Sequence, residues 1–136
     1  MMMYIANKNN FKHQTKFRAD ENAMKVGNCF ATCVANILGL DIEDVPNVET
    51  LFKVKKKQEG YWLDVFMAWL DSIGYYYEQI TEDNPPRENE LYIANGATGR
   101  GTMHSVIYKN GELYFDPFPN GKGLIIVEFF SVIRKY

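Results

Sequence analysis

The stretch VGNCFATCVANILGL, residues 26 to 40, most narrows what this chain can fold into. Apolar residues at 30, 34, 37 and 38 keep the 3.6-residue period of a helix with one buried face. Gly39 supplies the positive φ at which such helices stop. Cys29 falls at the first helical position, behind a glycine and a polar residue. The unpaired N–H groups and the positive dipole end of a helix favour an anion there, so the spacing predicts a lowered thiol pKa and a nucleophile. A free cysteine is more often a small packed hydrophobe, and Cys33, one turn deeper, is read that way. Cys29 is set apart by its distant companions: His104 opens a strand, and Asp116 lies on the strand expected to pair with it. A base and an acid to orient it are what a thiol nucleophile needs.

A second helix is predicted over 61–73, opened by Gly60 and stopped by Gly74. Tyr61, Trp62, Val65, Phe66, Trp69, Leu70 and Ile73 recur at three and four as a wide apolar stripe, read as core without a ligand. Between the helices, Asp41 is expected to cap a short helix ending near Pro46, with Leu40 and Val45 at staple spacing. Lys53 to Lys57 form a basic cluster read as a solvated face. Strands are expected at 75–80, 91–94, 103–108, 112–116 and 124–130, with the last six residues extending the final strand or crossing the sheet. The glycine-spaced loop 96–101 leads to His104 and lacks the lysine and helix of a phosphate-binding loop. Two helices followed by an antiparallel sheet make an α+β domain.

The hairpin between the third and fourth of these strands decides whether base and acid can meet. A two-residue Asn110-Gly111 turn would put Asp116 on the face opposite His104. A three-residue Lys109-Asn110-Gly111 loop with Gly111 at positive φ would place His104 opposite Asp116 on one face. The sequence permits both. The longer loop is favoured because it sets acid beside base while Ser105, Ile107, Leu113 and Phe115 share the other face.

At 136 residues the chain is expected to form one domain, 1–136, with residues 1–23 a polar lead-in arm that Phe11 and Phe17 can pin to the body. A net charge of −2 argues against a nucleic-acid surface. No apolar run reaches the roughly 18 residues of a membrane span, and the N-terminus lacks the order of a signal peptide, so a cytoplasmic protein without a membrane partner is expected. The two cysteines, four apart on one helix, are too far apart for a relaxed disulfide. Zinc on Cys29, Cys33, His104 and His13 or Asp116 is disfavoured, because C-x₃-C within a helix is not a zinc knuckle; no metal and no cofactor are expected. His13 is read as a surface residue.

The residues Gly27-Asn28-Cys29-Phe30-Ala31-Thr32-Cys33-Val34-Ala35, Ile37-Leu38-Gly39-Leu40, Val45-Pro46, His104-Ser105-Val106 and Tyr114-Phe115-Asp116-Pro117 together resemble small papain-like cysteine peptidases. They are closest to the C39-like group and to bacterial and phage proteins of similar length. The resemblance spans about residues 24 to 127. It implies a papain-like fold, with a central cysteine-bearing helix packed on the sheet, and a catalytic triad of Cys29, His104 and Asp116. The activity implied is hydrolysis or transfer at a peptide, isopeptide or related amide of a peptide or protein substrate. Deamidase and transglutaminase-like activities share this triad. One departure bears on catalysis: the C39-like pattern has a glutamine about six residues before the cysteine as oxyanion donor, and position 23 is alanine. Asn22, Asn28 and the Cys29 backbone N–H are the substitutes at hand. Losing a side-chain donor lowers acyl transfer by about 10²-fold or more, so a non-catalytic module that binds a host or partner protein stands as the alternative.

Overall fold

The computed structural model describes residues 6–17, 27–51, 61–99 and 101–136; Asn22, Gly60, Arg100 and the 53–57 basic cluster lie outside them. Helix α1 spans Cys29–Leu38 and α2 spans Tyr61–Ser72. Five strands follow: β1 Tyr75–Gln79, β2 Leu91–Ala97, β3 Met103–Lys109, β4 Glu112–Phe115 and β5 Ile126–Lys135. They form one sheet in the order β1-β5-β2-β3-β4, every neighbouring pair antiparallel. The architecture is α+β. Among the described residues, no helix is long and apolar enough to cross a membrane.

Both helices stop where glycine allows a positive φ. Gly39 has φ 73° and donates its N–H to Ala35, and Gly74 has φ 91°. The expected helix after Asp41 is a single 3₁₀ turn, Ile42–Asp44, and the Asp41 side chain makes no capping bond. Another 3₁₀ turn, Val48–Leu51, carries Glu49.

Strand alternation sorts the residues into two layers. Ile93, Ile107 and Ile133 join Phe30, Val34, Phe66 and Leu70 in the core between sheet and helices. The ring of Phe66 lies 4.9 Å from Phe30 and 5.2 Å from Tyr77, so one α2 side chain locks both α1 and β1. Burying each such side chain contributes about 1.5–3 kcal/mol. The α2 stripe is narrower than expected: Ile73 lies past the end of the helix and is exposed. On the opposite face, Tyr92, Tyr108 and Phe130 form a ring cluster with centroids 5.4–5.9 Å apart.

β5 resolves the question left by the last six residues, because one ten-residue strand runs to Lys135 and pairs with both β1 and β2. Its buried Arg134 holds the 81–90 loop. The guanidinium donates at 2.9 Å to each Glu90 carboxylate oxygen, at 2.7 Å to Asn84 Oδ1 and at 3.1 Å to the Pro85 carbonyl. This fork matches a planar carboxylate as lysine could not. β2 extends three residues beyond the expected strand and is the central one, so Gly96 and Ala97 are strand and not loop.

The β2–β5 register slips between Asn95 and Gly96. A Cβ on Gly96 would collide with the Ile126 carbonyl oxygen, whereas Gly99 has open space around it. We expect Gly96→Ala to cost about 1–3 kcal/mol by forcing the two backbones apart. Gly99→Ala should stay within about 0.5 kcal/mol of wild type. Urea denaturation of the two variants checks this, and equal midpoints would show that the close approach is not required.

Candidate active site

The hairpin that brings His104 to Asp116 combines the shorter turn with a bulge in β4. Asn110 and Gly111 have φ 50° and 82°, and Lys109 pairs with Glu112, so the loop has two residues, as Asn-Gly favours, and not the expected three. Gly111 does take the expected positive φ. The register then slips: Tyr108 pairs with Leu113, but Ile107 pairs with Phe115. One extra residue in β4 reverses the facing of everything after it. Asp116 is thereby returned to the His104 side, and Leu113 is separated from Phe115, with which it was expected to share a face.

His104 Nε2 and Asp116 Oδ1 are 2.7 Å apart, each side chain 4% exposed. Asp116 also accepts from the Phe118 N–H at 2.8 Å through Oδ1 and from the Gly123 N–H at 2.9 Å through Oδ2. Burial alone would raise its pKa. The hydrogen bonds from His104, Phe118 and Gly123 and the His104 charge outweigh burial, and the carboxyl is held below its ordinary value. A Cβ on Gly121 would strike this carboxylate, so the 116–123 loop closes on it only with glycine there. The arm reaches the same place. Gln14 N–H donates to the Pro117 carbonyl at 2.9 Å, Phe11 packs on Phe115 at 5.3 Å, and Phe17 packs on Phe118 at 5.5 Å. The described part of the lead-in arm is docked by these contacts. His13 is exposed, its ring 5.1 Å from Phe115.

Cys29 occupies the predicted first position of α1 but is 4% exposed, and its sulfur donates to Glu49 Oε1 at 3.3 Å. Burial, then the Glu49 charge, push the thiol well up, against smaller opposing effects from the Ser105 N–H and hydroxyl. This reverses the expected lowering. A helix N-terminus is worth at most about 2 kcal/mol, roughly 1.5 pKa units, whereas full burial shifts a group by up to about 3–5 units. Among the described residues no hydrogen bond joins Cys29 to His104. Two sets result: His104 with Asp116, and Cys29 with Glu49 and Ser105. Cys33 is wholly buried, with its pKa raised by burial first; both cysteines are free. Among the described residues no three potential metal ligands gather.

The two sets meet at a pocket of about 130 Å³ to which Glu49, His104 and Ser105 all contribute. Phe30, Trp62 and Phe129 give it aromatic walls, so Trp62 is more than the core residue its helical spacing suggested. Asn95, from β2, adds an amide. Glu49 and Asn95 were missed in the sequence because neither falls in a motif; β2–β3 pairing sets Asn95 against Ser105, and only the fold carries Glu49 to Cys29. Asn28 is engaged elsewhere: its Oδ1 accepts from the Thr15 and Lys16 N–H groups, and its Nδ2 donates to Thr15 Oγ1. Asn22 lies outside the described residues.

Comparison with known proteins returns no matching family model, no matching curated protein and no matching solved structure.

Because the folded Asp116 pKa is lowered, its contribution to stability is present above the unfolded value of about 3.9 and is lost as pH falls through the folded value. We therefore expect the urea midpoint of wild type to drop more between pH 6 and pH 3 than that of Asp116→Ala. Asp116→Asn does not titrate either and should drop as little as Asp116→Ala, while its midpoint at pH 6 should lie between the other two, since an amide presents one oxygen where the carboxylate uses two. Parallel pH profiles in all three proteins would remove the linkage.

A second expectation concerns the thiol. Glu49→Gln removes the negative charge beside the sulfur while keeping its size, so Cys29 should ionise at lower pH and alkylate faster with iodoacetamide at pH 8. An unchanged rate would mean that burial alone controls the thiol.

Proposed function

We propose that the chain is a cysteine-dependent acyl-transfer hydrolase of the papain-like type acting on an amide bond, with Cys29 as nucleophile, His104 as base and Asp116 as the group that orients it. The observation that carries this reading is the buried His104–Asp116 pair, together with Cys29 at the head of α1, whose sulfur bonds Glu49, a residue that lines one pocket with His104. An ionised Asp116 accepts the Nε2 proton, so the neutral ring presents Nδ1 as its acceptor. That is the tautomer a base needs. In the reaction the thiol proton passes to His104, sulfur attacks the carbonyl carbon, the proton goes to the leaving group, and water hydrolyses the thioester. The Cys29 N–H, in the first turn of α1, is the backbone donor for the developing oxyanion. The Glu49 contact describes a resting thiol that must let go of Glu49 before it attacks. The substrate in this reading is a peptide or protein.

A second reading rests on the same sulfur. A buried thiol with a raised pKa and an acidic neighbour also suits a packed residue in a protein-binding module.

Acylation by p-nitrophenyl acetate separates the two readings. The hydrolase reading expects a stoichiometric acyl adduct on Cys29 by mass spectrometry. It should form about 10²-fold more slowly in His104→Ala and at an intermediate rate in Asp116→Ala. Equal rates in all three proteins, each confirmed folded by circular dichroism, would leave Cys29 as a packed thiol.

A further inference from the structure

The pocket beside Cys29 has a polar pattern that selects one kind of ligand. Asn95 is 8% exposed, and its Oδ1 is taken by the Ser105 hydroxyl at 2.6 Å. Its Nδ2 is buried without a hydrogen-bond partner among the described residues. A buried amide donor left unpaired is rare and marks a place where a ligand acceptor fits. Glu49 contributes a carboxylate to the same pocket, His104 and Ser105 line it as well, and Phe30, Trp62, Met103 and Phe129 complete its walls. An unpaired amide donor and an anionic acceptor thus face a small space walled largely by aromatic and apolar side chains.

We propose that this pocket receives a primary carboxamide, the end group of a glutamine or asparagine side chain. The amide oxygen accepts from Asn95 Nδ2 and the amide NH₂ donates to Glu49, while the planar group lies among the aromatic rings. Glu49 can accept from both the amide and the Cys29 thiol, because a carboxylate offers about four lone-pair sites. A simple cation would satisfy Glu49 and the rings but supply no acceptor for Asn95. A carboxylate ligand would be repelled by Glu49. A volume of about 130 Å³ suits the end of a side chain better than a peptide running through.

This substrate class rests on the hydrolase reading for its chemical consequence. Cys29 sulfur bonds to the amide carbon, the C–N bond breaks, and the thiol proton leaves with the nitrogen as ammonia. Water then cleaves the thioester, giving a carboxylic acid and restoring the thiol. The net change is deamidation.

Binding is tested apart from chemistry in Cys29→Ser, which keeps a hydroxyl donor toward Glu49 but is a far weaker nucleophile. Propionamide, N-methylpropionamide, n-propylammonium and propionate are titrated in turn, with the Asn95 side-chain amide and the Trp62 indole followed by NMR. Propionamide should shift both signals saturably and bind about 10-fold more tightly than any of the other three. Asn95→Asp, which replaces the donor with an acceptor at nearly constant shape, should weaken propionamide about 10-fold or more. Tighter binding of n-propylammonium, or an Asn95 signal unmoved by propionamide, would overturn the proposal. If propionamide binds as expected while Cys29 of the wild type never acylates, the hydrolase reading fails and the carboxamide pocket stands. If Cys29 acylates but the pocket prefers the cation, the reverse holds.

Discussion

One carboxylate draws three separate parts of the chain to a single point. Asp116 accepts from the ring of His104 on β3 and from two backbone N–H groups of the loop that leads to β5. The arm before α1 docks on its neighbours Phe115, Pro117 and Phe118. A buried carboxylate without such donors would take up a proton. With three of them it stays ionised, and an ionised Asp116 settles which His104 nitrogen carries the proton. Architecture and candidate chemistry thus share the same hydrogen bonds, so the loop cannot be loosened without disorienting the histidine.

At Cys29 two electrostatic influences of opposite sign act on one sulfur. The helix N-terminus favours the thiolate; burial and Glu49 oppose it, and they prevail because desolvation in a packed interior outweighs a helix end. The outcome is a protonated thiol held beside a carboxylate, one hydrogen bond away from the pocket's polar residues. Glu49 sits on a one-turn 3₁₀ segment between the helices, a lighter anchorage than α1 or the sheet provides. The electrostatic environment of this sulfur is therefore set as much by that turn as by the helix that bears it.

Where the chain punctuates itself clearly, local chemistry was enough. Gly39 and Gly74 end their helices for the reason that can be read from each residue alone, and the strands rich in aromatic and β-branched residues appear in order. The hairpin shows the limit of such reading. Asn110-Gly111 specifies a two-residue turn, and taken alone that turn separates His104 from Asp116; the bulge at Tyr114 reunites them. No residue type in Leu113-Tyr114-Phe115 announces a bulge. It arises because Phe115 must reach the Phe11 side of the core while Asp116 closes the loop behind it.

By itself the sequence determined the two helices and their stops, the α+β order of elements, and the first helical position of Cys29, all set by periodicity and backbone preferences acting over a few residues. Tertiary structure alone decided the ten-residue reach of β5, the pairing of Asn95 with Ser105, the docking of the arm and the approach of Glu49 to the sulfur. It also decided the direction in which the thiol pKa moves. That direction depends on how completely water is removed and on which charge is left facing the sulfur, and both follow from contacts between residues far apart in the chain.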